Sequence, residues 1–460
     1  MYELKIGTVS DSIALIGDTL AAPFRGGILS SSEPVASPSP AEGKTGDGAI
    51  TEVYALALEG DPASLAAALS HLQALLNQAA TYTRRGLGQP VYLFATPIQG
   101  EPQCTSLVLA GSLSPLSSRK NPAPGGSSLS LPDRPQGSLG IALTLERYDY
   151  WEGSAAFLPL SNRSATRVTT GISVTNHLDA DPGHDNYVEI AGADIQGDLP
   201  AAVTIDYTNT AAPGTSLLDS LILHMNAHSH PADFAPVYEA SGVSDAACSS
   251  GSKSIVSVTP TDGQVLIWTV PDSQAALAAG NDFMLLLRLA APLPAADVIF
   301  HASLSLSAYQ LLETPWTLAP AGQGLIELGV LTLPPALAGV EAGPATLTLR
   351  LYAHTTGGSR SVELDFLYLA AMDAYRHLYR VGRLLYNDEC IVDDGFTGQC
   401  YLETNATALV APNYNAFGAQ AFLTPGLTHR IGFFQAGAHN AEIDRPGWVH
   451  VQYKPRRSIL

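Results

Sequence analysis

The stretch that decides the fold is DPASLAAALSHLQALLNQAATYTRRG, residues 61–86, because it is the one convincingly helical segment of the 460-residue chain. Asp61 is a good N-cap, Pro62 suits the first helical position, and Gly86 can end the helix. Its apolar residues recur at three- and four-residue spacing and form one face. They are Leu65, Leu69, Leu72, Leu76 and Ala79. The pattern predicts a helix that packs on the core of a β domain.

Almost all of the remaining chain consists of short alternating segments separated by Gly, Pro, Ser and Asp, which is typical of strands and turns. The clearest alternation is in residues 298–306, 346–351 and 362–368. The sequence therefore predicts a mainly β fold: a multi-domain β-sandwich, or jelly roll, with one helix packed on the N-terminal β domain. Further strands are predicted at 3–6, 13–16, 50–58, 91–95, 106–110, 140–146, 203–207, 217–225, 265–270, 283–289, 429–434 and 448–453.

Chain length suggests about three domains, at roughly 150 residues each. We expect an N-terminal β domain over residues 1–153, with a boundary after the turn-rich stretch YDYWEG. A jelly-roll sandwich is expected over residues 154–375. Residues 376–460 are expected to form a C-terminal β segment that could complete the N-terminal domain. The segment closes with a basic stretch, Lys454 to Arg457, which predicts contact with an acidic surface of the chain itself or of a partner.

Composition narrows the classes of partner. Charged residues make up 14% of the chain, and the net charge is −19 at pH 7. This acidity argues against binding to nucleic acid or to an anionic membrane. No apolar run of about 18 residues is free of polar interruption, so no membrane span is expected. The N-terminal residues lack a signal-peptide pattern, and four cysteines are too few for a disulfide scaffold, which predicts synthesis in a reducing cytoplasm.

One pair of cysteines requires a choice between two readings. A hairpin turning at Asp394-Gly395 would bring Cys390 and Cys400 nearly opposite each other, where a disulfide could form. Two free buried thiols are the ordinary alternative, and the sequence favours them.

Catalytic motifs are absent from the sequence. It contains no Gly-x-Ser-x-Gly elbow, His-Glu-x-x-His helix or Cys-x-x-Cys pair, and no cofactor is expected. Gly43-Lys44-Thr45 resembles the end of a phosphate loop, but Pro38 stands where the first glycine should be. No strand is predicted before this stretch and no helix after it, so we reject a phosphate-binding role.

Two polar clusters contain residue types that bind metals. Asp179, Asp181 and Asp185 lie in one loop and could bind calcium, although the loop lacks the regular ligand spacing of a calcium hand. Because Asp, Asn, Gly and Pro are also ordinary turn residues, a turn without a metal is favoured.

The second cluster is a run of histidines, His224, His228 and His230, with Asp233 nearby. On a strand the three imidazoles would share a face and could bind zinc. Histidines on the solvent side of a strand end are the favoured interpretation, because the motif has no confirming context.

A sugar site is also conceivable. A glycosidase of sandwich fold would need two carboxyl groups about 5–10 Å apart in a groove, and nothing in the sequence marks such a pair. Trp151, Trp268 and Trp316 could form a platform on which sugars stack. Core filling is the default explanation for each of these tryptophans.

Several stretches together resemble one family. Residues 192–209, GADIQGDLPAAVTIDYTN, resemble the entry into a jelly-roll module that is common in tail proteins of bacterial viruses. Residues 327–335, ELGVLTLPP, and 364–373, LDFLYLAAMD, resemble later strands of that module, and residues 448–457, WVHVQYKPRR, resemble the final strand of such proteins. The order of strands around one helix in the first 150 residues is similar to the ring-forming domain of the distal tail proteins of siphophages.

This resemblance implies a structural virion protein without enzymatic activity. Distal tail proteins join the tail tube to the tail tip or hub, usually as hexameric rings, and carry a carbohydrate-binding-like sandwich. The implied partners are further copies of the chain, other tail proteins and host cell-surface glycan, and the implied location is the virion tail after assembly in the host cytoplasm. The alternatives are a glycan-binding adhesin, another tail or decoration protein with such a sandwich, and, less favoured, a glycan-degrading enzyme.

Overall fold

The part of the chain that the computed structural model describes is mainly β, with several antiparallel sheets and one α-helix, which confirms the predicted fold class. It divides into two compact units. Unit 1 consists of Met1–Ala155, Gly197–Leu199 and Lys454–Leu460, and unit 2 consists of Ala156–Gln196 and Pro200–Tyr453. The described residues are 3–16, 24–31, 48–58, 62–96, 103–115, 139–175, 186–210, 220–225, 237–271, 275, 279–306, 309–333, 347–379, 385–404, 409–410, 414–436 and 446–458.

Unit 1 is a curled antiparallel sheet with one helix. Its main strands follow the order β2-β1-β5-β6-β7-β4-β3, β8 pairs with β6, and the two outer strands β2 and β3 approach each other. The elements are β1 (Glu3–Gly7), β2 (Ser12–Ile16), β3 (Phe24–Ser31), β4 (Ala49–Leu58), α1 (Pro62–Arg85), β5 (Tyr92–Thr96), β6 (Cys104–Pro115), β7 (Leu139–Tyr148) and β8 (Trp151–Glu152).

Helix α1 confirms the predicted helix and its apolar face. Leu72, Leu76 and Ala79 are fully buried in the core of unit 1. At its end, Gly86 has a φ of +64° and donates its N–H to the Tyr82 carbonyl at 2.7 Å, as a C-terminal glycine does. In the described part of the chain, no helix is long and apolar enough to cross a membrane.

A buried ion pair joins β4 to β7 within the same core. Arg147 donates to both carboxylate oxygens of Glu52, at 2.9 and 2.7 Å, and its guanidinium lies 4.4 Å from the centroid of the Trp151 ring. Burial alone would raise the pKa of Glu52. The hydrogen bonds and the charge of Arg147 outweigh that effect, with a further hydrogen bond from Tyr54, so the pKa lies below its usual value.

Unit 2 contains the other long strands of the chain. Its elements are β9 (Ala156–Phe157), β10 (Ile172–Val174), β11 (Tyr187–Ile190), β12 (Ala201–Asn209), β13 (Ser220–Met225), β14 (Val237–Glu239), β15 (Val243–Ser244), β16 (Ser252–Val258), β17 (Gly263–Val270), β18 (Asp282–Leu289), β19 (Val298–Leu306), β20 (Tyr309–Glu313), β21 (Thr317–Leu318), β22 (Leu325–Thr332), β23 (Leu347–Thr355), β24 (Arg360–Ala371), β25 (Tyr375–Tyr379), β26 (Glu389–Asp394), β27 (Gln399–Thr404), β28 (Leu409–Val410), β29 (Asn415–Gly418), β30 (Phe422–Leu423), β31 (His429–Ala436) and β32 (Gly447–Tyr453).

Two sandwiches make up unit 2. Sandwich A consists of the sheets β10-β32-β12-β26-β27-β28 and β11-β31-β13-β25-β29. Its core lies between them and includes Ile205 and Val451 from the first sheet and Leu223 and Phe433 from the second. The short strands β9 and β30 pair with β32 and β12 respectively.

Sandwich B consists of the sheet β15-β16-β24-β18-β22, to which β14 adds, and the sheet β17-β23-β19-β20, to which β21 adds. The alternation seen in the sequence sets its core, because Phe300, Leu349 and Leu364 all point inward. The intervening residues of β19 and β23, including His301 and Tyr352, belong to the outer face of the second sheet.

The chain runs through these parts in a nested order. Sandwich B is inserted between β13 and β25 of sandwich A. The observed division differs from the expected segments 154–375 and 376–460. Strands β26 and β32 pair with β12, and β31 pairs with β13, so these strands do not form a separate C-terminal segment. Antiparallel strands pair across long sequence separations, and alternation alone does not identify a strand's partner.

The last described strand, β33 (Arg456–Arg457), belongs to unit 1 and pairs with β8. Arg456 Nε donates to Glu152 Oε1 at 3.0 Å, and its guanidinium lies 4.1 Å from the centroid of the Tyr150 ring. Lys454 Nζ lies 3.8 Å from the same carboxylate. The basic stretch therefore contacts an acidic side chain of the chain itself, which is one of the two predicted outcomes.

The predicted hairpin around Asp394-Gly395 forms from β26 and β27, but its register differs from the expected one. Residues 395–398 make the turn, so Cys390 stands opposite Glu403 and Cys400 opposite Asp393. The two cysteines therefore face opposite sides of the sheet. Both are free thiols, but only Cys400 is buried as the favoured prediction had it, while Cys390 is partly exposed.

The buried ion pair predicts a large loss of stability when Arg147 is replaced by leucine. Arg147→Leu would leave the Glu52 carboxylate buried without its cation, and we expect a loss of about 3–5 kcal/mol in the free energy of unfolding. Urea denaturation of the full chain measures it, with the exposed Arg85→Leu as control. The double variant Glu52→Leu with Arg147→Leu should recover part of the loss. A loss below about 1 kcal/mol for Arg147→Leu would contradict the prediction.

Candidate functional site

The first candidate metal cluster, Asp179, Asp181 and Asp185, lies outside the described residues, as do His228, His230 and Asp233 of the second. Within the residues that the structure covers, no group of three or more His, Cys, Asp or Glu side chains is arranged to hold a metal ion.

His224 is the member of the histidine run that the structure describes, and it is buried, so the expected solvent-side position is wrong for it. Its Nε2 accepts the Ala371 N–H at 2.9 Å, which leaves Nδ1 to donate to the Tyr368 hydroxyl at 2.8 Å. Burial lowers the pKa of His224 to about 3. The imidazole is therefore a neutral structural group that connects the two sandwiches.

The surroundings of His224 explain this burial. Strand β13 belongs to sandwich A, while Tyr368 lies on β24 of sandwich B. An apolar cluster fills the contact between the sandwiches. It contains Ile222, Met284, Leu286, Leu325, Phe366, Tyr368, Ala370, Tyr375 and Phe434. Both faces of β13 are consequently covered, whereas a strand end with one free face was expected.

The three tryptophans considered as a sugar platform lie in different environments. Trp151 is buried in the core of unit 1, and Trp268 packs against the core of sandwich B while donating to the Glu239 carbonyl at 2.8 Å. Core filling is thus the correct explanation for these two. Trp316 is different, because it is 49% exposed.

Trp316 belongs to a compact group on the outer face of sandwich B, which we name the Trp316 patch. His301 on β19 and Tyr352 on β23 stand opposite each other in the strand register. Trp316 follows β20, and its position is fixed by Thr314, which exchanges two hydrogen bonds with the backbone of Ala302, each 2.9 Å long. The patch consists of Asp262, His301, Glu313, Trp316, Tyr352 and His354.

Four rings of the patch are in contact. The His301 imidazole lies between two of them, with its centroid 3.9 Å from the Trp316 ring and 4.8 Å from the nearly parallel Tyr352 ring. The His354 ring is inclined at 63° to the Trp316 ring, and their centroids are 4.9 Å apart. Because its neighbours hold the ring, the exposed part of Trp316 is a fixed aromatic surface.

Two carboxylates border these rings. Glu313 Oε1 lies 2.9 Å from His301 Nδ1, and Asp262 Oδ2 lies 3.5 Å from His301 Nε2. The side chains of Glu313 and Asp262 remain 36% and 39% exposed, and Glu313 Oε2 already accepts a hydrogen bond from Gln310 Nε2 at 2.7 Å. Each carboxylate oxygen has two lone pairs, so these exposed groups can accept further hydrogen bonds from a ligand. An apolar ring beside exposed carboxylates suits a sugar, which has an apolar face of C–H groups and a rim of hydroxyl donors.

The sequence contained part of the signal for this patch. Trp316 was a candidate from the sequence, whereas His301, Tyr352 and His354 were not. The alternation that places Phe300 in the core also places His301 outside, and β23 follows the same rule. Polar and aromatic residues at outer positions of two adjacent strands could have marked the site, but the sequence did not show that β19 and β23 are adjacent.

A second polar surface lies on the outer face of β12 in sandwich A. The pKa of Asp206 is raised to about 6, first by burial and then by the charges of Glu403 and Asp394, against the opposing effects of His450 and Gln452. Trp448 and Phe157 are exposed on the neighbouring strands β32 and β9. The carboxyl groups of Asp206, Glu403 and Asp394 therefore lie near one another on this face.

Comparisons with known proteins give no family. No protein-family model matches the sequence, and no curated protein matches it. Among solved structures, the chain is similar to SPP1 Dit (gp 19.1), described as a paradigm of the hub adsorption apparatus in phages that infect Gram-positive bacteria, with 7% identity, 98% of each chain covered and a TM-score of 0.26.

Two further similarities are weaker still. One is to the phage P2 baseplate in its activated conformation with Ca, at 10% identity over 49% of this chain and 73% of the other, with a TM-score of 0.22. The other is to infectious bursal disease virus, Gx strain, at 8% identity over 67% of this chain and 80% of the other, with a TM-score of 0.17. At such low scores these similarities assign neither a family nor a function.

The raised pKa of Asp206 predicts a pH-dependent effect of Asp206→Asn. The folded chain holds the Asp206 proton more tightly than the unfolded chain, so ionisation of Asp206 reduces stability as the pH rises from about 4 to about 6. The variant should match the wild type below pH 4 and exceed it by about 1–3 kcal/mol in free energy of unfolding at pH 7. Urea denaturation at both pH values measures this, with the exposed Asp373→Asn as control. A variant that is less stable than the wild type at pH 7 would contradict the prediction.

Proposed function

We propose that the protein is a structural component of the tail of a tailed bacterial virus, where unit 1 joins copies of the chain into a ring. The observation that carries this proposal is the pairing of β8 with β33. Apart from the short stretch Gly197–Leu199, the chain leaves unit 1 after Ala155 and returns to it at Lys454. Strand β33 pairs there with β8, and Gly153 donates to the Pro455 carbonyl at 2.8 Å. A large module is thereby inserted without interrupting unit 1, which suits a ring-forming domain with an appended sandwich.

Composition supports the same role. Charged residues are depleted in the cores of protein interfaces, and this chain has few of them. Identical subunits close into a ring through head-to-tail contacts. In the proposed arrangement about six copies form a ring between the tail tube and the tail hub or tip, within a virion assembled in the host cytoplasm. The proposal includes no enzymatic activity.

The ring proposal is tested by the mass of the purified full-length chain. Light scattering after size exclusion is expected to give about six times the mass of one chain, and negative-stain images should show closed rings. A chain that stays monomeric up to the highest soluble concentration would contradict the ring.

Glycan binding by sandwich B is a second proposed function, and the Trp316 patch supports it. The exposed face of Trp316 offers a surface for the C–H face of a sugar, and the carboxylates of Asp262 and Glu313 lie within the same group to accept sugar hydroxyls. The implied ligand is a neutral or cationic glycan of the host cell surface, since an anionic one would be repelled by the two carboxylates and by the net charge of −19.

A glycan array probed with the full-length chain tests this second function. Trp316→Ala is expected to weaken binding of the preferred glycan by at least about 10-fold, because the stacking surface is lost. Trp448→Ala is the matched control, since Trp448 is also partly exposed but belongs to sandwich A. Equal losses for both variants, or no loss for Trp316→Ala, would exclude the Trp316 patch as the binding site.

A further inference from the structure

The two carboxylates of the Trp316 patch lack a lysine or arginine partner. Among the described residues, the ion-pair contacts of Asp262 and Glu313 are with the imidazoles of His301 and His354 alone, at 2.9–3.9 Å. An imidazole carries a charge only when it is protonated. Two negative charges therefore stand at the surface of sandwich B without a permanent positive charge in contact.

Unpaired carboxylates alone would not mark a site in this chain. It contains 42 Asp and Glu residues but 23 Lys and Arg residues, so many carboxylates remain without such a partner. The two in the Trp316 patch differ because they border a tryptophan that is 49% exposed and held by its neighbours. The fixed aromatic ring is what makes this pair of charges informative.

The buried imidazole between the carboxylates is incompletely hydrogen-bonded. The His301 side chain is 6% exposed, and its Nε2 lies 3.5 Å from Asp262 Oδ2. Its Nδ1 lies 2.9 Å from Glu313 Oε1, but this contact does not have hydrogen-bond geometry, and Nδ1 is a buried atom without a partner. His354 Nδ1 is also buried without a partner. Buried polar atoms of this kind are rare, and two in one patch mark a place that a bound group can complete.

A tryptophan ring beside carboxylates suits an organic ammonium ion. The face of an indole ring attracts a cation that lies within about 6 Å of its centroid, and tryptophan is the strongest aromatic partner of this kind. The His301 ring centroid is 3.9 Å from that of Trp316, and both carboxylates contact the same imidazole. The exposed ring and the two charges are therefore separated by one imidazole. A ligand cation can be attracted by the ring and by both carboxylates at once.

One permanent cation borders the patch and opposes such a ligand. Arg350 on β23 stands opposite Ser303, and Glu313 on β20 stands opposite Ser303 on the other side. Because neighbouring strands lie about 4.8 Å apart, the backbones at Arg350 and Glu313 are about 10 Å apart. The charge of Arg350 weakens the attraction for a cation, so its removal should strengthen cation binding.

We propose that the Trp316 patch binds a glycan through a free amino group, which lies as an ammonium ion against the Trp316 ring near Asp262 and Glu313. This inference rests on the proposed glycan binding and narrows its ligand from neutral or cationic sugars to amino sugars. The C–H face of the sugar would still cover the apolar ring. Acetylation of the amine removes its charge, so the acetylated sugar loses the attraction of the carboxylates and of the aromatic face. The net charge of −19 further raises the local concentration of a cationic glycan.

Two oligosaccharides with the same backbone test this inference on the full-length chain. One is a β-linked oligomer of glucosamine with free amines, and the other is the N-acetylated oligomer of equal length. Titration calorimetry is expected to show at least about 10-fold tighter binding of the free-amine oligomer. Raising the salt concentration should reduce this preference, because interactions between exposed charges are screened.

Variants of the charged residues separate recognition of the amine from general damage. The double variant Asp262→Asn with Glu313→Gln should lower the preference for the free-amine oligomer to about 2-fold or less, whereas a structural defect would weaken both oligomers in proportion. Arg350→Gln should instead tighten binding of the free-amine oligomer by about 2-fold. The double variant Asp373→Asn with Glu146→Gln removes two exposed carboxylates elsewhere and is the matched control, in which the preference should be kept.

The outcomes distinguish this inference from the glycan binding on which it rests. Binding of the free-amine oligomer no tighter than that of the acetylated one would overturn the amino-group inference. Glycan binding would still stand if the array or either oligomer gives a ligand that Trp316→Ala loses. A lysine-rich peptide of equal charge that binds as tightly as the free-amine oligomer would also overturn the inference, because charge alone would then be recognised. A chain that binds neither oligomer nor any glycan of the array would overturn both.

Discussion

Arg456 donates to Glu152 while its guanidinium stacks on Tyr150, and this contact joins two residues 304 positions apart in the sequence. Its neighbour Lys454 adds a second cation near the same carboxylate. Because a buried arginine is costly without a partner, the contact favours one place where β33 can lie. The pairing of β33 with β8 brings the two ends of unit 1 together, and residues 156–196 and 200–453 form the other unit.

Much of the fold could be predicted from local patterns. The helix follows from capping residues and a 3.6-residue periodicity, and its structure begins at Pro62 and ends at Arg85. Most long strands follow from alternation in the same way. Pairing could not be predicted, because it depends on contacts between distant segments. Residues 376–453 illustrate this: their strands were recognised, but their partners in β12 and β13 were not.

The environment of a single side chain was harder to predict than the element that carries it. Trp151 and Trp316 are both tryptophans, yet Trp151 packs against Arg147 in a core and Trp316 lies exposed on the outer face of sandwich B. His224 was expected near solvent, but a strand of sandwich B covers it. In each case the deciding neighbour lies far away in sequence, so the composition of the local stretch carried no information about it.

The nested order of the chain has a consequence for biosynthesis. On a ribosome, sandwich A cannot be completed until sandwich B has been translated, because β25 to β32 follow the insertion. Unit 1 in turn lacks its closing strand until residues 454–458 have emerged. Contacts of such high sequence separation form slowly and late. Unit 1 would therefore become fully stable only after the inserted module has been translated. In the proposed ring, this order would disfavour chains whose module is unfinished.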